Sequence, residues 1–300
     1  MSPPVIVILG ATAVGKTQLS LDLAEKIDAE IINADSMQLY RGMDIGTAKV
    51  AISERRGIRH HMLDVLDVKE TANVADYQRA TRDVIQEIHG RGRRALLVGG
   101  SGLFIQAVLE DLQFPGSDPK IRERLLLEAE QLGAEVMYER LKGFDAEAAS
   151  HILPTNIRRV IRALEVVELT GQAPTTTLSK LPAVLPSIRF GLRRERPDLD
   201  QRIQERVHIM VEQGLASEVE HLSRHGLRDG LTASKALGYS QFLAHLDGEL
   251  SLALAIESTT VATRRFARRQ EAWFNRDSDI RWIDAASVRL GEIVELASHS

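Results

Sequence analysis

The eight residues Gly10 to Thr17, GATAVGKT, directly follow the apolar run Val5-Ile6-Val7-Ile8-Leu9. The spacing G-x-x-x-x-G-K-T is complete in Gly10, Gly15, Lys16 and Thr17, with Ala11, Thr12, Ala13 and Val14 between the glycines. Glycines let successive backbone N–H groups turn inward around phosphate oxygens, and a helix N-terminus behind them adds partial positive charge. Lys16 is expected to reach the outer phosphates, and Thr17 is the expected Mg²⁺ ligand. The pattern names phosphate without naming the compound that carries it. A P-loop NTPase also has an aspartate closing a later apolar strand, to hold the magnesium shell. Here Arg94–Val98 runs instead into Gly99-Gly100-Ser101-Gly102. The acid on offer is Asp35, just behind Glu30–Ala34 and suited to face a substrate, which weakens an ATPase reading.

Other groups are weaker. Arg158-Arg159-Arg162, Arg193-Arg194-Arg196 and Arg264-Arg265-Arg268-Arg269 are basic clusters that could contact phosphates or merely coat solvated helices. His60 and His61 are adjacent and point apart in any regular structure; His221 and His225 are spaced i, i+4 without an evident third ligand. Leu103 stands where a G-x-S-x-G elbow needs its last glycine, so Ser101 is no hydrolase nucleophile. With no cysteine, disulfides and thiolate sites are excluded. A net charge of −4, 44% hydrophobic and 27% charged residues describe an ordinary globular chain. MSPPVIVILG lacks a basic n-region and no run is long enough for a membrane span, so a cytoplasmic protein without membrane contact is expected.

The elements that must position these groups alternate. Val5–Leu9, Glu30–Ala34 and Arg94–Val98 read as strands; Thr17–Ile27 and Asn73–Gly90 read as helices. That order implies an α/β fold of the P-loop NTPase type, a parallel sheet flanked by helices. Six of the nine prolines fall from Pro115 to Pro186. The turn-rich segments Gln113–Pro119 and Gly171–Ser187 bracket a strongly helical stretch, so an all-helical subdomain over 113–187 is expected to interrupt a core of 1–112 and 188–300. Ile188–Leu192 then reads as a strand returning to the sheet, followed by helices near Leu199–Gln213 and Leu252–Phe274.

Seven blocks in order resemble the tRNA dimethylallyltransferase (tRNA isopentenyltransferase) family along nearly the whole chain. They are GATAVGKT (10–17), INADSMQLYRGMDIGTAK (32–49), HHMLDVLD (60–67), LLVGGSGLFIQAV (96–108), NIRRVIRALEV (156–166), KALGYSQ (235–241) and TRRFARRQEAWF (263–274). The chain departs from the family at Ala11, often proline, at Ser101, usually threonine, and at Phe104, commonly tyrosine; serine retains the hydroxyl and phenylalanine loses it.

The resemblance implies transfer of a dimethylallyl group from dimethylallyl diphosphate to N6 of the adenine just 3′ of a tRNA anticodon. The loop 10–17 would then hold the donor's diphosphate, with Mg²⁺ at Thr17 and an arginine among Arg193, Arg202 and Arg206 as a clamp. Asp35 would accept a proton from the amine, and Ser101 would bond near the acceptor or the diphosphate. Asp35 could instead cap a helix or hold magnesium, and Ser101 could bond its own backbone. Ser36, Met37 and Gln38 would read the base edge. The anticodon loop is expected to meet Arg158, Arg159, Val160, Ile161, Arg162, Lys235, Gly238, Tyr239, Arg264, Arg265 and Arg268; Gly238 could equally cap a helix end. At 100° per residue the first arginine set spans about 100° and the last about 140°, with Phe266 and Trp273 facing away. A monomer is expected. The alternatives are a small-molecule or nucleotide kinase using the same loop on ATP, and an RNA-binding regulator switched by a nucleotide.

Overall fold

The computed structural model describes residues 3–171 and 181–298, so part of the turn-rich stretch Gly171–Ser187, residues 172–180, lies outside the described residues. Val5–Gly10 forms β1, and all its residues are buried. A strand covered on both faces needs no polar side, and VIVILG has none. β2 (Ala29–Ala34), β3 (His60–His61), β4 (Arg94–Gly99), β5 (Ser187–Arg193) and β6 (Ile280–Asp284) join it in one sheet of order β3-β2-β4-β1-β5-β6. Every pairing in this sheet is parallel. The edge strands β3 and β6 escape sequence patterning for simple reasons: two residues show no period, and IRWID is only half-buried.

Helices cover both faces. Ile6 and Ile8 pack with Leu19 and Leu23 of α1 (Lys16–Ile27), while Val5, Val7 and Leu9 pack with Ile85 and Ile88 of α2 (Val74–Gly90) and Val108 of α3 (Gly102–Leu109). The strand's period of two thus feeds two cores from one element. Asn73 caps α2 by accepting from Ala75 N–H, a contribution of about 1 kcal/mol. Farther along come α8 (Arg196–Glu212), α9 (Leu215–Arg224), α10 (Tyr239–Leu246), α11 (Leu252–Phe274) and α12 (Leu290–Ser298).

The chain forms two compact units, Met1–Glu110 with Ala183–Ser300, and Asp111–Pro182. The second begins at 111 where composition suggested 113, and ends at 182 where it suggested 187. The chain rejoins the first unit early, because Val184 N–H already donates to Leu109 O at 2.8 Å. The second unit consists of α4 (Pro119–Leu132), α5 (Ala134–Phe144), α6 (Ala146–Ser150) and α7 (Ile157–Thr170), packed on a core of its own that includes Leu125, Met137, Leu141 and Leu164. Val160 and Ile161, expected at the RNA surface, are 0% and 3% exposed and belong to that core. Their apolar side chains occupy the packing face of α7, opposite Arg158 and Arg159, which are exposed.

Candidate active site

Three turns at the carboxyl ends of β1, β2 and β4 carry the residues that the sequence singles out, at the end of a parallel sheet where ligands bind. After β1 the loop enters α1 at Gly15, whose φ of 113° is open to glycine. Lys16 Nζ curls back to donate to Gly10 O at 3.0 Å and Ala11 O at 2.8 Å. Ala11 and Val14 are buried, and their contribution to the loop is backbone and packing.

After β2 the chain makes a tight turn. Asp35 Oδ1 accepts from Met37 N–H at 2.9 Å, which is a side-chain-closed turn and no helix cap. Asn33 fixes that turn from behind: its Oδ1 accepts from Asp35 N–H, and its Nδ2 donates to the carbonyls of Asp35 and Met62. Tyr77 in turn donates to Asn33 O at 2.6 Å. After β4, Ser101 precedes α3 without capping it, and its Oγ accepts from Ser36 N–H at 3.4 Å.

A cavity of about 90 Å³ lies against these turns, and Lys16, Thr17, Asp35, Gln38 and Arg206 all line it. It shares Ala13, Thr17, Ala48, Val50 and Arg206 with a crevice of about 900 Å³. Thr12 and Gly15 also line the cavity. Ser101, Ser36 and Met37 do not; Ser101 is one hydrogen bond removed, through the Ser36 amide. Gln38 faces the cavity with its Nε2 committed to Thr47 O at 3.0 Å.

Burial and then the Arg206 charge push the Lys16 ammonium down to about 8, with Asp35 opposing. Burial raises Asp35 above the ordinary aspartate value, although the Met37 amide and the Lys16 charge pull it back. The two shifts run in opposite directions, Lys16 down and Asp35 up. Such opposed shifts suit proton transfer beside an anion.

The three candidate clamps separate. Arg193 is exposed and lies over the Trp282 ring at 5.8 Å, which removes it. Arg202 Nε donates to Ala13 O at 3.0 Å, and Arg206 reaches Thr12 Oγ1 at 3.4 Å. Arg194, unforeseen, donates to Val14 O at 3.1 Å. Arg194 and Arg202 thus grip the loop's carbonyls, and of its amides the Thr12 N–H is taken by Gln270 Oε1 at 2.9 Å.

Two further expectations need correction. Tyr239 is 0% exposed, and its hydroxyl donates to Glu218 Oε1 at 2.6 Å, so it cannot stack on a base. That same carboxylate accepts from the N–H groups of Asp44, Ile45 and Gly46 at 3.1, 2.7 and 3.2 Å. Glu218, on α9, thereby fixes the segment that carries Thr47 and Ala48 into the cavity wall. No local pattern announces it. Gly238 caps the start of α10, with its N–H donating to Gln241 Oε1. Phe266 does not face away from the arginines, since Arg269 lies 5.7 Å over its ring.

The other basic groups divide by their contacts. Lys235, Arg265 and Arg268 are exposed. Arg264 is tied to Asp200 O and Gln204 on α8, and Arg162 donates to Pro115 O, Gly116 O and Glu165. His60 and His61 do point apart. His60 lines the cavity, with Nδ1 donating to Ile58 O at 2.9 Å, while His61 meets Glu30 at 2.6 Å. His221 and His225 stack at 4.2 Å, and Phe104 packs on Tyr77 at 4.5 Å. Among the described residues no group of three or more His, Asp or Glu could hold a metal, and no helix is long and apolar enough to cross a membrane.

Comparisons with known proteins point one way. A family described as IPP transferase matches residues 38–277. The chain is 55% identical over 284 residues to the tRNA dimethylallyltransferase of Thermobifida fusca, covering 93% of this chain and 89% of that one. The crystal structure of the tRNA isopentenylpyrophosphate transferase from Bacillus halodurans is 38% identical with a TM-score of 0.73, over 99% of this chain and 95% of that one. A eukaryotic dimethylallyltransferase, solved acting on tRNA, is 31% identical with a TM-score of 0.81, over 95% of this chain and 74% of that one.

Proposed function

This chain belongs to the tRNA dimethylallyltransferase (IPP transferase) family, enzymes that move a dimethylallyl group onto tRNA, and we propose how its own residues do so. The donor is dimethylallyl diphosphate, and its diphosphate lies against the amides of 13–17. As the allylic C1–O bond breaks, its electron pair leaves with the diphosphate. Lys16 and Arg206 stand where that negative charge grows, the productive place for electrostatic stabilisation. The N6 amine of a flipped-out adenine, beside the anticodon, forms the new bond to C1. Its surplus proton passes to Asp35 as the nitrogen loses its lone pair.

Thr17 is the residue that would hold Mg²⁺. Its hydroxyl is a hard oxygen donor that suits a magnesium ion bound mainly by substrate phosphates and water, which leaves the Asp35 carboxylate free to accept the proton. When bound, such an ion offsets the charge of the departing diphosphate. The working form in this reading is a monomer, and the cytoplasm supplies both substrates.

The observation that carries the reading is the presence of Lys16 and Asp35 in the wall of one cavity that continues into a larger crevice. Incubating tRNA with the prenyl donor should add the mass of one dimethylallyl unit to a single adenosine. Asp35→Asn should retain tRNA affinity while turnover falls by about 10²–10⁴-fold. Turnover of ATP to ADP, with thermal protection by ATP and none by the prenyl donor, would instead establish the kinase alternative.

A further inference from the structure

We infer that Gln270 is a positioning residue that sets the spacing between the donor's phosphate loop and the acceptor-side turn; this rests on the function proposed above. Gln270 sits on α11 and is 5% exposed. Its two amide ends are committed to opposite halves of the site. Oε1 accepts from Thr12 N–H, inside the phosphate loop, at 2.9 Å. Nε2 donates to Gly100 O, in the turn that carries Ser101, also at 2.9 Å. One side chain, held at both ends, therefore ties the phosphate loop to the turn after β4, and it lines the cavity as it does so.

The glycines of that turn fit the same device. A Cβ on Gly100 would meet Gln270 Nε2 at 2.2 Å, and one on Gly102 would meet the Trp273 ring at 2.2 Å. Gln270 and Trp273 are three apart and seat side by side on a G-G-S-G surface that only hydrogen side chains leave flat enough. The sequence Gly99-Gly100-Ser101-Gly102 stands where an NTPase would place an acid; here Gly100 and Gly102 let α11 approach, and Gly99 lets β2 approach at Ala34. The Ser36 amide, next to the Asp35 turn that Asn33 fixes from behind, donates to Ser101 Oγ at 3.4 Å, and Ser101 N–H donates to Ala34 O at 3.2 Å. A shift of the Gly100 turn relative to Thr12 thus moves the acceptor's partners relative to the donor.

Transfer between two bound reactants is steep in distance, and a displacement near 1 Å costs about 10²-fold in rate. Gln270→Leu keeps the bulk and removes both hydrogen bonds. Its kcat, measured well below the melting temperature and per folded molecule, should fall by about 10–100-fold, while tRNA affinity and donor KM stay within about threefold. Gly100→Ala, which displaces the Gln270 amide without touching α11's sequence, should reproduce the loss. In the Gln270→Leu background it should add little, because two changes that break one link are not additive. A Gln270→Leu kcat within about threefold of the parent, whatever the melting temperature does, overturns the inference. So does full additivity of the two substitutions. If Gln270→Leu does not fold, Gly100→Ala alone decides on the same kcat threshold. A parent protein that transfers no dimethylallyl group refutes the proposed function instead, before any variant is compared.

Discussion

Lys16 shows how much a single side chain's surroundings decide. An ordinary lysine, with a pKa of about 10.4, is still charged at pH 9, so its pairing with phosphate would be insensitive to pH across the working range. Burial and the neighbouring Arg206 hold this one at about 8 in the free protein. A bound diphosphate brings negative charge to the ammonium and must raise that value. The direction of the linkage follows: above pH 8 the free protein lacks the proton that the complex carries, so binding takes up a proton and affinity falls with rising pH. Titration calorimetry of the prenyl donor at pH 8.5–9, in two buffers of different ionisation enthalpy, should show uptake approaching about one proton per site. Lys16→Arg cannot titrate there and should show none attributable to this position. Equal uptake in both proteins would remove Lys16 as its source.

Among the elements, α7 separates two kinds of arginine that sequence alone cannot tell apart. Arg158, Arg159 and Arg162 share one face by periodicity, yet Glu165 lies one turn beyond Arg162 and is 0% exposed. That carboxylate accepts from Arg122 and Arg162 and from Asp118 N–H, which hold its pKa low although burial by itself would raise it. Arg162→Ala strips one partner from a buried charge, and Arg122 remains, so the expected loss is about 1–3 kcal/mol of stability in denaturant titrations. Arg158→Ala and Arg159→Ala should leave stability unchanged and each lower the salt dependence of tRNA binding by about one phosphate contact. An unchanged salt slope would take those two out of the RNA interface. The same contrast marks what was legible beforehand. Glycine spacing gave the phosphate loop, and apolar runs gave β1, β2, β4 and β5, because local rules decide them. Glu218, Gln270 and Arg194 stayed hidden, because each acts through backbone groups far away in the chain. Gln270 alone left a trace: a polar residue at the helical spacing of buried Ala267 and Phe274. Tyr239 misled for the complementary reason, since an aromatic in a glycine-flanked motif is as apt to fill a core as to meet a base.

At the scale of the whole molecule, the chain leaves and re-enters the first unit at nearly one point. Glu110 pairs with Ala183 across an isolated antiparallel bridge, and just beyond it, within the second unit, Asp111 N–H donates to Pro182 O at 2.9 Å. The sheet, the phosphate loop, Asp35 and the cavity all belong to the first unit, and the second has a separate core around Leu141 and Leu164. Among the described residues the clusters share no side chain, so removing 111–182 and closing Glu110 to Ala183 with a short glycine-serine turn should cost little loop entropy. The shortened protein should unfold cooperatively and still be protected thermally by dimethylallyl diphosphate. Its tRNA affinity should drop by at least about tenfold, since each lost phosphate contact takes its share of counterion release with it. Loss of donor protection in a folded product would mean that the helical unit helps to build the donor site. Undiminished tRNA binding would confine RNA recognition to the first unit, where Arg41, Lys235, Arg265, Arg268 and Arg269 are the exposed cations in the blocks that mark the family.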